Sequence, residues 1–259
     1  MEYLKSIWIE KVIGSEVHAT EDVVILEARV SIFLNGQKAI STMCIPKDQE
    51  AHAVGFLMAE GVIKRVEDIA SLQLKADGLE VHIAASIDEQ NLQNLYKEKT
   101  LVAGCGGGVT GQTADQVKVP FIDTPLKVGV DHIRTTVSRF YDESELYRLT
   151  GCVHKAMLAF EDGTTIEAED IGRHNAIDKV AGKSRLEALP VERSVLIVSG
   201  RLSSEMVIKA VMHRIPVVIS RTAPTFLGVK TAQEHGVTLI GFARGQKMNL
   251  YTHSARIAL

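Results

Sequence analysis

The stretch SVLIVSGRLSSEMVIKAVMHRIPVVISRTAPTFLGVKTAQEHGVTLIGFAR, Ser194 to Arg244, holds three short, continuous apolar runs separated by two amphipathic segments. The runs in SVLIVSG, PVVISR and VTLIGFAR lack the alternation of a half-exposed strand, so they read as strands buried on both faces. The segments between them, Ser203 to His213 and Phe226 to His235, repeat apolar residues at helical spacing. Strand, helix, strand, helix, strand in this order predicts a largely parallel sheet covered by helices.

Working outward, His174 to Leu186 reads as a further helix, and HKAMLAF and TTIEAEDIG flank an Asp162-Gly163 turn as a hairpin. Asp131 to Leu149 reads as one helix and MNLYT as a last strand. Residues 130–259 are therefore expected to form an α/β domain. Nearer the N-terminus, VVILEARVSIFL and KAISTMCIP flank Asn35-Gly36, a hairpin signal, and SLQLKADGLEVHIA forms a second hairpin around Asp77-Gly78. Asp48 to Ile63 carries a helical pattern between them. These elements predict a smaller α+β domain over residues 1–115, with the turn-rich DQVKVPFIDTPLKVG, Asp115 to Gly129, as the boundary.

The chain has 259 residues, 46% hydrophobic and 24% charged, with a formal charge of −3. That balance excludes a disordered chain and a globally basic nucleic-acid binder. The N-terminus mixes acids and bases into its apolar pattern, and no apolar run reaches the roughly 18 residues of a membrane span. A cytoplasmic protein with neither membrane nor nucleic-acid partners is expected. Three cysteines, Cys44, Cys105 and Cys152, cannot all pair within one chain, and none has CxxC spacing.

In open α/β sheets ligands bind beyond the carboxyl ends of the strands. Here SVLIVSG brings Ser199 and Gly200 and runs into Arg201 and Ser203; PVVISR runs into Thr222-Ala223-Pro224; VTLIGFA brings Phe242 and Ala243 and runs into Arg244-Gly245-Gln246-Lys247. Any one of these could be a helix cap or a solvated surface residue. Three such ends together suit a phosphate-bearing ligand, because helix N-termini offer N–H donors and arginine offers a bidentate fork. The stretch EDIGRHNAIDKVAG adds Arg173 and His174 at a strand-to-helix junction.

Far from these strands, TLVAGCGGGVTGQT, Thr100 to Thr113, sets Cys105 among Gly104, Gly106, Gly107, Gly108 and Gly111. A buried structural cysteine packs against bulky apolar neighbours, and this one has almost none. A flexible linker that happens to hold a cysteine and a loop that presents a reactive sulfur both fit. Several other patterns fail. Gly106, Gly108 and Gly111 match GxGxxG without the βαβ unit and acid that give it meaning, and Gly182-Lys183-Ser184 lacks a P-loop's earlier glycine. The HxE and PCxxC of a zinc deaminase are absent.

Taken in order, the Cys-Gly loop, TGCVH, EDIGRHNAIDK, SGRLSSEMVIKA, TAPT and GFARGQKMNLYT resemble the FdhD family of formate dehydrogenase accessory sulfurtransferases, from about Val23 to the C-terminus. The resemblance implies a small N-terminal α+β domain, a C-terminal cytidine-deaminase-like α/β domain without catalytic zinc, and a cytoplasmic homodimer. It implies a sulfurtransferase whose Cys105 accepts persulfide sulfur from a cysteine desulfurase. The sulfur then passes to a bound molybdenum cofactor, the bis-molybdopterin guanine dinucleotide, for which GDP is an analogue and formate dehydrogenase the client. One departure stands out: the family's loop pattern is commonly CxxC, and Gly108 replaces its second cysteine. A non-covalent molybdenum-cofactor chaperone is the alternative that this favours, and a nucleotide hydrolase lacks its metal ligands. Cys44 and Cys152, placed in or before strands, are expected to be buried and inert.

Overall fold

A computed structural model describes residues 3–97, 100–101, 109–110 and 119–259. The Cys105 loop lies outside the described residues. From the N-terminus, β1 (Leu4–Ile13) and β2 (Glu16–Ile25) form a two-stranded antiparallel hairpin. Such a ribbon has little core of its own. It is rooted through Tyr3, Leu4 and Ile25, which pack with Ile45, Leu146 and Val153, while Trp8, Val12, Ile13 and Val17 are exposed.

The first larger sheet holds β3 (Ala28–Leu34), β4 (Gln37–Cys44), β5 (Ile69–Lys75) and β6 (Glu80–Ala85) in the order β4-β3-β6-β5. Its hairpin turns fall where the sequence places them. Asn35 and Gly36 both have positive φ, and so do Asp77 and Gly78, the backbone state in which Asn, Asp and Gly are least strained. Between β4 and β5 runs α1 (Gln49–Ala59), of which all residues except Glu50 are buried. A helix apolar on every side must have cover on every side. The sheet, through Val30, Ile32, Val81 and Ile83, covers part of it.

After α2 (Glu89–Lys97), the short pair β7 (Thr100–Leu101) and β8 (Val109–Thr110), and β9 (Val128–Gly129), the chain forms α3 (Val130–Asp142) and α4 (Glu145–Thr150). The single helix expected over 131–149 is thus two helices, broken at Glu143-Ser144, where α3 ends on a backbone bond from Glu143 to Arg139. The main sheet then builds from β10 (His154–Phe160), β11 (Thr165–Asp170), α5 (Arg173–Leu186), β12 (Ser194–Val198), α6 (Ser204–Met212), β13 (Val217–Ser220), α7 (Phe226–His235), β14 (Thr238–Arg244) and β15 (Lys247–Leu250). A final β16 (Ile257–Ala258) pairs with β9.

Its order is β11-β10-β12-β13-β14-β15. Only β12, β13 and β14 run parallel, and the other three pairings are antiparallel. The expectation of a largely parallel sheet needs that correction. The physical reason lies in connection length: the Asp162-Gly163 and Gly245 turns are too short to cross over, so β10–β11 and β14–β15 must reverse direction. Elsewhere the α/β reading holds. Leu196, Val198, Val218 and Leu239 face one apolar layer with α5 and α6, whereas Val195, Ile197, Val217, Ile219 and Ile240 face the opposite layer with Ile133, Val137 and Phe140 of α3. Two covered faces explain why these strands are apolar throughout. Among the described residues no helix is long and apolar enough to cross a membrane.

The two sheets meet through α1 and α5. Gly55 of α1 lies against the backbone of Asp178, and Gly182 of α5 against that of Ala51; a Cβ at either position would stand 1.9 Å from a carbonyl oxygen. A buried polar knot locks the same seam. Asp170 Oδ2 accepts from the Ile45 amide (3.0 Å) and from Lys179 Nζ (2.7 Å), and Lys179 also donates to the Ile45 carbonyl (2.9 Å). Both charges are fully buried, so each depends on the other and on these backbone partners.

Candidate functional site

The seam opens into a cavity of about 1100 Å³. One wall comes from the first sheet and its helix, including Met43, His52, Phe56 and Glu60; the other comes from α5 and the carboxyl ends of the main sheet, including Gly172, His174, Asp178 and Ser199. Ligand pockets commonly measure about 300–1,000 Å³, so this one accepts a large ligand.

Local sequence sets each group. β12 ends at Val198, and the next residue, Ser199, turns its hydroxyl to the start of β10: Oγ accepts from the Lys155 amide (3.1 Å) and lies 3.1 Å from His154 Nδ1. The hydroxyls of Ser220 and Thr222 both donate to the Gly200 carbonyl at 2.8 Å, fixing that turn. The hydroxyls expected to face a ligand after PVVIS thus build the loop instead. In the same segment Thr225 caps α7, accepting from the Gly228 amide. His174 sits in the first turn of α5, where Gly172 and Asn175 both donate to Asp170 Oδ1.

Burial controls the charge of these groups. Desolvation, helped by Lys209, Arg173 and His154, pulls His174 down to about 3, and its buried Nε2 has no hydrogen-bond partner among the described residues. His52 and His213 are likewise pulled down to about 3, chiefly by desolvation. Burial also pushes Asp178 up to about 6 against the opposing pull of Lys209, which it holds through both carboxylate oxygens at 2.7 and 2.8 Å. The cavity therefore presents neutral imidazoles at neutral pH.

That state has a consequence for stability. A histidine neutral in the fold and titrating near 6.5 when unfolded contributes stability that is complete above about 6.5 and lost as pH falls towards 3. Asp178 has the opposite sign, since its cost is relieved as pH falls below about 6. Three histidines outweigh one carboxyl. Thermal unfolding followed between pH 7.5 and 4.5 is expected to show a steep loss of stability below pH 6.5, and His213→Gln should make it shallower. A flat profile would contradict buried neutral histidines.

A second, smaller pocket of about 110 Å³ lies behind the first, between α3 and the β14–β15 turn, and is lined by Arg134, Ser138, Asp142, Arg244 and Lys247 among others. The residues expected from sequence thus divide. Ser199 and His174 line the large cavity; Ala243, Arg244, Gly245 and Lys247 line the small one. Arg173 is buried, with its side chain over Gly200, and Arg201 is exposed outside both. Phe242 stands 40% exposed at positive φ beside the bulge in β14, and the Gln246 carbonyl accepts from Arg134. Neither lines either of these two pockets.

The first sheet's contribution was not visible in the sequence, because nothing local says that Met43, His52, Phe56 and Glu60 will face α5. Nothing local marks Tyr141 of α3 or Arg221 after β13 either, and both line the cavity. Cys152 needs correction: it is exposed on the cavity wall, its amide donating to Thr150 Oγ1. Cys44 is buried as expected, and desolvation pushes its thiol up to about 12.

Residues 25–258 match the model of the FdhD/NarQ family. The chain belongs to that family. A family member from Wolinella succinogenes, named sulfur carrier protein FdhD, is 56% identical over 99% of this chain and 90% of its own length. One of the same name from Streptomyces coelicolor is 35% identical over 94% of this chain and 92% of its own. The fold agrees with a crystal structure from Desulfotalea psychrophila, provisionally described as a formate dehydrogenase accessory protein: TM-score 0.79 and 26% identity, covering 99% of this chain and all of the other. The family match spans both sheets and hence both walls of the cavity.

Proposed function

We propose that the protein is a sulfur carrier serving formate dehydrogenase, accepting sulfur on Cys105 and presenting it to a guanine-dinucleotide molybdenum cofactor bound at the seam. The observation that carries this reading is the two-compartment site, a large cavity joined to a small basic pocket, in a chain whose relatives are named sulfur carriers. The molybdenum cofactor is here the substrate. Its size suits a cavity of about 1100 Å³, and its phosphates suit Arg244, Lys247 and Arg221.

Loading is a simple exchange. The Cys105 thiolate attacks the outer sulfur of a desulfurase persulfide, forming an S–S bond on Cys105 while the desulfurase cysteine leaves as its thiolate. Polar groups at the seam then hold the acceptor. Neutral His174, with an unpartnered Nε2, can hydrogen-bond a ligand group, and Ser199 and His154 offer a hydroxyl and a second imidazole. The working form proposed is a cytoplasmic homodimer.

GDP stands in for the nucleotide end. Calorimetry is expected to show GDP binding that Arg244→Ala weakens by about tenfold, the worth of one charge-assisted bond. Unchanged affinity would remove Arg244 from the site. After incubation with a cysteine desulfurase and cysteine, mass spectrometry should find one added sulfur atom on the Cys105 peptide.

A further inference from the structure

Two side chains line both compartments, Tyr141 and Arg221. Tyr141 comes from α3, on the face of the main sheet opposite α5 and α6, and Arg221 is the first residue after β13. Their contact is closely specified. The Tyr141 hydroxyl donates to the Val198 carbonyl and accepts from the Arg221 amide, both at 3.2 Å. The Arg221 guanidinium lies over the Tyr141 ring, 4.4 Å from its centre. Behind them Arg244 Nε donates to the Arg221 carbonyl at 3.0 Å. The backbone of Arg221 is thus held from both sides.

The guanidinium itself is exposed and makes no hydrogen bond or ion pair among the described residues. Stacking uses the face of the guanidinium and leaves its N–H edge free to grip an oxyanion. The setting is cationic. The small pocket is lined by Arg134, Arg221, Arg244 and Lys247 and by one carboxylate, Asp142, whose Oδ2 already accepts from Ser138; Arg134 is itself paired with Asp131 at 2.9 Å, which leaves three cations for a ligand. At about 110 Å³ that pocket falls below the roughly 300 Å³ at which small-molecule sites begin. It has room for an anionic fragment of a ligand whose body lies elsewhere, and the large cavity adjoins it through this one pair.

We propose that Arg221 binds the phosphoanhydride of a nucleotide-bearing ligand where the two compartments join, with Tyr141 as the positioning residue that holds it there. The proposal rests on the guanine-nucleotide reading of the site and adds to it the group that grips the phosphates. Arg244 then acts in two ways, by its charge and by fixing the Arg221 carbonyl.

The test uses the full chain and a ladder of probes: guanosine, GMP, GDP and inorganic diphosphate, titrated by calorimetry. For the unaltered protein, affinity should rise with phosphate number. Arg221→Gln is expected to weaken GDP by about 10–100-fold, as loss of a bidentate charge-assisted contact implies, and to leave guanosine within about twofold. Tyr141→Phe keeps the ring under the guanidinium and removes its hydroxyl, so GDP should weaken several-fold and guanosine hardly at all. A merely structural role would weaken all four probes alike, and that result overturns the proposal, as does GDP affinity unchanged in Arg221→Gln. Failure of the unaltered chain to bind GDP is a different result: it removes the guanine-nucleotide reading and this proposal with it.

Discussion

Cys105→Ser is expected to abolish sulfur loading from a cysteine desulfurase and, with it, activation of a formate dehydrogenase, while GDP binding and thermal stability stay unchanged. Serine keeps the size and hydrogen bonding of cysteine and cannot form a persulfide. The expectation comes from chemistry and context. Among the three thiols, that of Cys44 is buried and pushed up to about 12, far from any thiolate at neutral pH. Cys105 stands among five glycines, which allow close approach of a partner's persulfide and movement towards a bound acceptor. Cys152 is the true control, because it is exposed on the cavity wall and burial does not silence it. Cys152→Ala should still load and activate. If sulfur appears on Cys152, or if Cys105→Ser activates the client fully, the carrier assignment is wrong; full activation without any loading would leave the non-covalent cofactor chaperone, the reading that Gly108 in place of a second loop cysteine favours.

Local signals in the sequence were enough for most of the elements. Helical spacing over Phe226–His235 matches α7 residue for residue, and the Asn35-Gly36, Asp77-Gly78 and Asp162-Gly163 turns all join antiparallel strands. Direction within the main sheet was less legible. Continuous apolar strands announce two covered faces, and both parallel and antiparallel strands can be covered twice, so only the Asp162-Gly163 hairpin marks β10 and β11 as antiparallel, and nothing as plain marks the β10–β12 and β14–β15 pairings. The site was legible in halves. Residues at or just beyond the carboxyl ends of β12 and β14 follow from the rule for open α/β sheets, and they do reach pockets: Ser199 in one, Arg244 and Lys247 in the other. What joins the halves is tertiary. Tyr141 reads as an ordinary apolar-face residue of its helix, and the Met43 and Phe56 wall depends on how α1 docks against α5. The one local trace of that docking was a pair of glycines inside helical patterns, Gly55 and Gly182, each of which should weaken its helix by about 1 kcal/mol relative to alanine unless close contact requires it.

Gly182→Ala tests that requirement and should cost stability where helix propensity alone predicts a gain. An exposed helical Gly→Ala change stabilises by about 1 kcal/mol. Here the new Cβ would stand 1.9 Å from the Ala51 carbonyl oxygen, 2.7 Å from its carbon and 2.9 Å from the Gly55 amide nitrogen. All three are backbone atoms, so no side chain can rotate away. The helices must part instead. Overpacking commonly costs 1–3 kcal/mol, and a backbone-to-backbone clash belongs at the upper end, so a net loss of about 3 kcal/mol is expected. At about 2–4 °C per kcal/mol for a chain of this size, the unfolding midpoint should fall by about 6–12 °C. Gly129→Ala is the matched control: a Cβ there meets nothing within 4 Å, and the change should stay within about 1 kcal/mol. The same separation reaches the site, because α1 and its C-cap carry His52, Phe56 and Glu60 of one cavity wall and α5 carries His174 and Asp178 of the other. It also strains the Ile45 backbone bonds to Asp170 and Lys179, which hold two fully buried charges in register. Binding of a ligand that touches both walls should therefore weaken in Gly182→Ala even at temperatures where the variant is folded, and inorganic diphosphate, held by Arg221 and the small pocket away from α1 and α5, should not. Equal loss for both probes, or a variant as stable as the unaltered chain, would show that α1 and α5 do not set the width of the cavity.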